Sequence, residues 1–157
     1  MKTEKPRRVS HTYEQMIEAP PERIFPLYCP VREVDWVAGW DPSTVYSSSG
    51  VVEEDCVFVT RTREGEAVWV VTAYDAEAHH LEVLKVTPEV TVCRIVIDLE
   101  EIEPGRTKAV ITYTKTSLGQ RGDRILERFT AQFYESFMVR WETAMNHYLK
   151  TGERLEA

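Results

Sequence analysis

The side chains able to do chemistry in this chain are scattered. Its four histidines are His11, His79, His80 and His147. None stands at the spacing of a metal set. His79 and His80 are adjacent at a turn-to-strand junction, where neighbouring side chains point to opposite faces, which suits a polar edge better than a site. His147 falls beside the polar side of a helix end, where an imidazolium opposes the helix dipole. Cys29, Cys56 and Cys93 are far apart and odd in number. They fit buried free thiols in a reducing compartment rather than a disulfide framework or a zinc site. No Gly-x-Ser-x-Gly, Walker or dinucleotide motif is present, and no cofactor is implied. Acid–base work would need a titratable group among apolar walls. The candidates are Arg61, Tyr74, Asp75, Tyr113 and Arg140, with no catalytic residue singled out. Arg140 stands between Phe137 and Trp141, so it either turns inward to meet a carboxylate or lays its stem on the core with its head in water. Tyr113 faces either a covering helix or solvent.

What must position these groups is a long helix. From Ser117 to Lys150, apolar residues recur at Ile125, Phe129, Phe133, Phe137, Trp141, Ala144 and Tyr148, with Leu126 and Met145 at the margin. Steps of three and four place them on one face. Asp123, Arg124, Glu127, Arg128, Glu135, Glu142 and Lys150 fall on the other. Ser117 and Gln120 suggest a capping box, and Gly152 sits where a left-handed stop residue belongs. Thirty-four residues would make a rod of roughly 50 Å. Gly119 and Gly122 weaken its first turns. The aromatic face has two readings: core packed on a sheet, or one wall of a cavity whose other wall is the sheet.

The preceding chain supplies the sheet. Val9 to Ala19 reads as a first strand. Pro20-Pro21-Glu22 opens a helix, which Pro26 and Pro30 cut short, and a second short helical piece covers Val31 to Trp36. In the loop Trp36-Val37-Ala38-Gly39-Trp40-Asp41-Pro42, both tryptophans either plug one end of the core or form a lip over a ligand. Six more strands follow: Thr44–Ser48, Cys56–Arg63, Ala67–Tyr74, His80–Val86, Thr91–Glu100 and Lys108–Thr116. Breaks such as Glu64-Gly65-Glu66 and Glu103-Pro104-Gly105 are turn-like, too short for crossover helices, so the sheet is antiparallel. Cys93, Ile95, Ile97 and Leu99 alternate with charged residues, giving one covered face and one wet face, whereas Ala67–Tyr74 is ambiguous. The expected class is α+β. One helix cannot cover a flat seven-stranded sheet, so the sheet must curl around it, and a curled sheet gripping a helix with bulky rigid side chains leaves space between them.

At 157 residues a single domain is expected, over 9–152, with a flexible N-terminal tail at 1–8 and a C-terminal tail at 153–157. A formal charge of −7 argues against a nucleic-acid or anionic-membrane surface. The one basic cluster, Lys2, Lys5, Arg7 and Arg8, falls in the tail. No stretch approaches the ~20 apolar residues of a membrane span, and no signal peptide is visible. Cytoplasmic localisation is the default expectation.

Ile17-Glu18-Ala19-Pro20-Pro21-Glu22-Arg23-Ile24-Phe25 resembles the motif between first strand and first helix in many members of the START and birch-pollen-allergen superfamily, also called SRPBCC and including polyketide cyclase/dehydrase-like proteins. Trp141-Glu142 with Asn146-His147-Tyr148-Leu149-Lys150-Thr151-Gly152 resembles the helix ending of bacterial members, and Tyr74-Asp75 is similar to a strand end found there. The resemblance runs from Val9 to Gly152. It implies the helix-grip fold: a seven-stranded curved antiparallel sheet around a long C-terminal helix, with two short helices after the first strand. It also implies a hydrophobic cavity between sheet and helix. Members include lipid and sterol carriers, plant hormone binders, polyketide aromatase/cyclases and chaperone activators.

The function expected first is binding or transport of a small hydrophobic or amphipathic molecule, such as a lipid, isoprenoid or polyketide-like compound. Trp36, Trp40, Phe58, Trp69, Tyr113, Phe129, Phe133, Phe137, Arg140 and Trp141 would line or gate the cavity. The alternatives are a polyketide cyclase/dehydratase-like enzyme, distinguished by a buried ionisable residue reaching into the cavity, and a protein-interaction domain of the chaperone-activator kind, distinguished by a filled interior. Neither a metal nor nucleic acid is expected as a partner, and the oligomeric state is left open.

Overall fold

A computed structural model describes residues 7–156. The elements run β1 (Arg8–Ile17), α1 (Pro21–Ile24), β2 (Thr44–Tyr46), β3 (Val57–Thr62), β4 (Gly65–Asp75), β5 (His80–Thr87), β6 (Thr91–Glu103), β7 (Arg106–Ser117), α2 (Gln120–Arg128) and α3 (Ala131–Thr151). All seven strands form one antiparallel sheet in the order β1-β7-β6-β5-β4-β3-β2. This is the helix-grip arrangement that the resemblance implies. Met1 to Pro6, and with them Lys2 and Lys5, lie outside the described residues. Arg8 already pairs with Thr116 as the first residue of β1. Arg7 bonds Glu127 and the Asp123 carbonyl, both at 3.2 Å, so the ordered unit begins before Val9.

The prolines shape the early segment as the sequence suggests. Pro21 sits in the first turn of α1, and at Phe25–Tyr28 the chain tightens into a 3-10 turn around Pro26. A second 3-10 turn covers Arg32–Asp35. The two tryptophans then tie the following loop back. The Trp36 indole donates to the Leu27 carbonyl at 2.8 Å and the Trp40 indole to the Pro30 carbonyl at 2.7 Å.

The long helix is not continuous. It breaks at Phe129–Thr130, where Thr130 adopts an extended conformation and its hydroxyl caps the Phe133 N–H at 3.1 Å. The freed Phe129 carbonyl is met at 2.8 Å by Nε2 of the His11 ring. Ser117 caps nothing: α2 starts from Gly119 without a side-chain cap, and the Ser117 hydroxyl donates to the Gly119 carbonyl instead. Gly152 does end α3 in the left-handed conformation, φ 74°. With 21 residues, α3 is about 32 Å long.

The face of α3 buried against the sheet is also not the phenylalanine stripe. Tyr134, Met138 and Met145 are the residues driven into the core, with Ile17, Ile24, Trp36 and Ile111. The stripe lies about a quarter-turn away, over open space. Side chains of α3 stitch it to β1: Gln15 donates to the Met138 carbonyl at 2.9 Å, Glu142 accepts from the Met16 N–H at 2.6 Å, and Asn146 bonds both the Glu18 N–H and the Met16 carbonyl.

Strand β4 owes its ambiguous pattern to a bulge between Val71 and Ala73. Before it, Trp69 and Val71 face inward; after it, Tyr74 does, paired with Leu81 and stacked on Phe25.

Candidate functional site

Between the concave face of the sheet and α3 lies an open cavity of about 730 Å³, within the range of small-molecule sites. Its sheet wall follows from register. Phe58 pairs with Trp69, Trp69 with Lys85, Lys85 with Cys93, and Cys93 with Lys115, so these five form one transverse row across β3 to β7. A second row runs Val71, Val83, Ile95, Tyr113. The opposite wall is the stripe Phe129, Phe133, Phe137 and Trp141. The loop from Val37 to Asp41 covers one flank. Within it, Trp40 meets Phe58 and Trp69 edge-on at 6.0 and 5.8 Å, while those two rings stack at 5.1 Å. The Trp69 indole is fixed by the Thr60 hydroxyl at 2.8 Å.

Of the ten residues expected at the site, eight line this cavity: Trp40, Phe58, Trp69, Tyr113, Phe129, Phe133, Phe137 and Trp141. Phe133, half exposed, stands at the rim. Two do not belong. Trp36 is wholly buried behind the wall, its ring packed edge-on against Trp141 at 5.3 Å. The two tryptophans of the loop therefore divide the alternatives between them, Trp36 as plug and Trp40 as lip. Arg140 is exposed on the outer side of α3, because it falls some 100° around the helix from Trp141. Among the acid–base candidates, Arg61 is at the rim but pairs with Glu66 at 3.1 Å, and Asp75 accepts from the Glu77 and Ala78 N–H groups of its own turn. His80 faces outward, bonded to Asp98 and Glu82. Among the described residues no metal-binding cluster of His, Cys, Asp or Glu is formed.

The cavity holds ionisable groups that sequence reasoning missed: Glu33, Lys85 and Lys115, with Tyr28 and Cys93. Glu33 is only half-buried by exposed area, but the surface it shows faces the cavity, and burial pushes its carboxyl up to about 8. Burial likewise raises the Tyr28 and Tyr113 hydroxyls, with Glu33 contributing to both. The Tyr28 hydroxyl is buried and has no hydrogen-bond partner among the described residues. The Cys93 thiol is pushed up to about 11 by burial, against the pull of Lys115 and Lys85, so it is not a nucleophile at neutral pH. Burial depresses the Lys85 ammonium, as does Lys115, while Glu64 supports it.

The two lysines had a sequence signal. Leu81-Val83-Lys85 and Ile111-Tyr113-Lys115 each continue an inward-facing alternation, so strand parity alone puts both ammonium groups on the concave side. Glu33 had none, since its orientation depends on a 3-10 turn.

The raised Glu33 carboxyl has a pH consequence. Below about pH 4.5 it is protonated in both folded and unfolded chains. Between there and pH 8 the unfolded chain gives up the proton and the folded chain keeps it, so stability falls as pH rises and levels off above pH 8. Allowing for screening through the open mouth, the loss is on the order of 2 kcal/mol. Glu33→Gln is expected to remove this decline, read as the difference between wild-type and variant unfolding midpoints from pH 5 to pH 8.5. A difference that stays constant across that range would contradict the buried, protonated carboxyl.

No family model matches the chain, and neither does any curated protein. Solved structures do. Truncated norcoclaurine synthase from Thalictrum flavum aligns at a TM-score of 0.70 and 12% identity, covering 96% of this chain and 98% of that one. Ara h 8.0201 aligns at 0.64 and 14%, covering 92% and 99%. DynU16, a protein of the dynemicin biosynthetic locus, aligns at 0.57 and 15%, covering 92% of this chain and 48% of its own. At these identities the likeness shows the fold.

Proposed function

We propose that this chain, built on the helix-grip fold of the START and birch-pollen-allergen superfamily, binds a small amphipathic molecule with a flat apolar body between its sheet and α3. The observation that carries this is the open cavity of about 730 Å³ with aromatic walls on facing sides, Phe58 and Trp69 from the sheet against Phe137 and Trp141 from the helix. Ring faces supply apolar area with little rotamer entropy to lose, and burial of ligand surface at about 25 cal/mol per Å² drives binding before ordering costs. An open cavity also weighs against the interaction-domain alternative, which a filled interior with an exposed apolar patch would favour. The buried free thiols Cys29, Cys56 and Cys93 suit a cytoplasmic setting.

The test is native mass spectrometry of protein purified from its own host, followed by organic extraction. A stoichiometric hydrophobic molecule is expected. The double variant Phe133→Ala/Phe137→Ala should weaken its binding about tenfold, roughly 1.4 kcal/mol. Unchanged affinity in that variant would remove α3 as the ligand's wall.

A second reading is favoured by Glu33, Lys85 and Lys115, which meet the criterion set for an enzyme: ionisable groups reaching into the cavity. A protonated Glu33 can donate a proton to a leaving hydroxyl and the Lys85 and Lys115 ammonium groups can stabilise an enolate, two roles that a cyclisation–dehydration of a polyketide-like substrate uses. Turnover of the extracted molecule, lost in Glu33→Gln with binding retained, would establish it.

A further inference from the structure

We propose that the bound molecule is an anion: an apolar ring system carrying one acidic group, seated between Lys85 and Lys115. This rests on the binding reading above and names its ligand class. Three observations support it. The first is position. Lys85 and Lys115 flank Cys93 in one transverse row, on neighbouring strands either side of β6, so their backbones are two strand spacings apart, about 10 Å. Both line the cavity.

The second is direction. The Lys85 Nζ lies 4.8 Å from the centroid of Trp69 and the Lys115 Nζ 4.2 Å from that of Phe129. Both rings are cavity walls, so both ammonium groups are held inside by ring faces instead of snorkelling out.

The third is the missing partner. Among the described residues, neither lysine makes an ion pair, whereas Arg61 at the rim and the outer cations Arg32, Arg94 and Lys108 each hold a carboxylate within 3.1 Å. Glu64 at the rim supports the Lys85 charge from a distance, and Glu33 stays protonated at neutral pH and so does not repel an anion. Two like charges against apolar walls are costly until an anion joins them, and an oxyanion with two or three oxygens can bond both ammonium groups at once.

The experiment compares two fluorescent probes with the same ring frame. 1-Anilinonaphthalene-8-sulfonate carries an acidic group, and N-phenyl-1-naphthylamine does not. The wild-type protein is expected to bind the sulfonate at least tenfold more tightly. Lys85→Met and Lys115→Met, which keep most of the apolar stem and lose the charge, should each cut sulfonate affinity about fivefold or more, while the neutral probe changes less than twofold. Lys85→Arg should keep the preference. Equal affinity for the two probes in wild type would overturn the proposal and leave the cavity reading standing. A sulfonate preference that survives both methionine substitutions would overturn it too. Failure of both probes to bind would overturn the cavity reading and this proposal together.

Discussion

Trp36→Ala is expected to destabilise the fold by about 3–5 kcal/mol, the range for removing a fully packed large aromatic. Trp36 has no exposed surface, donates its indole N–H to the Leu27 carbonyl, and packs edge-on against both Trp141 and Tyr28. Its loss leaves a void behind the cavity wall and an unmatched carbonyl in the turn that carries Tyr28. For a chain of this length the unfolding midpoint should drop by on the order of 10 °C. Trp40→Ala is the informative contrast. Trp40 is only partly buried and lies on the cavity side, so its loss should weaken ligand binding while moving the midpoint far less. Thermal unfolding with and without ligand separates the two. If Trp36→Ala melts within about 2 °C of wild type, the ring is not the wedge described above.

Gly122→Ala should cost about 3 kcal/mol, at the upper end for overpacking. A Cβ there would lie 2.0 Å from the Val90 carbonyl oxygen and 2.6 Å from the Ser117 hydroxyl. The carbonyl is backbone and cannot turn aside, so α2 must lift from the β5–β6 turn. Gly119→Ala is the control: its nearest neighbour would be 3.5 Å away, an ordinary contact, and it should cost under about 1 kcal/mol. Chemical denaturation of both variants checks this. Similar midpoints for the two would mean that close approach to the Val90 carbonyl does not govern position 122.

That contrast shows where the sequence was legible and where it was not. Gly119 and Gly122 look equivalent in the sequence, as weak points in a helix. Only the docked geometry distinguishes the residue that permits close approach. The same limit hid the break at Phe129–Thr130: Ile125, Phe129, Phe133 and Phe137 keep a four-residue step straight through it, so periodicity carried no sign that Thr130 restarts the helix. Strands fared better because their signal is local. All seven were readable from β-branched and aromatic runs between turn residues, and the inward face of β6 was plain from alternation. Strand β4 resisted because one bulge reverses its parity. The aromatic stripe of α3 was visible, but its role was not. Tyr134, Met138 and Met145 give a second, less obvious apolar face, and the sheet's curvature decides which face touches it. Eight of the ten expected lining residues are in the cavity. Arg140 failed because adjacency to Trp141 in sequence is a large rotation on a helix. Glu33 was missed because a 3-10 turn has no long repeat from which to read its direction.

The stitching of α3 to β1 bears on how the chain avoids its own copies. A sheet of seven strands has two borders, and each is a template for another molecule's backbone. At one border, the Met16 N–H and carbonyl and the Glu18 N–H are already taken by Glu142 and Asn146. At the other, β2 offers only three residues. The first border is held by α3 at its Met16–Glu18 end, and the second is a strand of three residues. The protein can therefore keep an open interior while each border is curtailed, one by side chains of α3 that cap its end and the other by its own brevity.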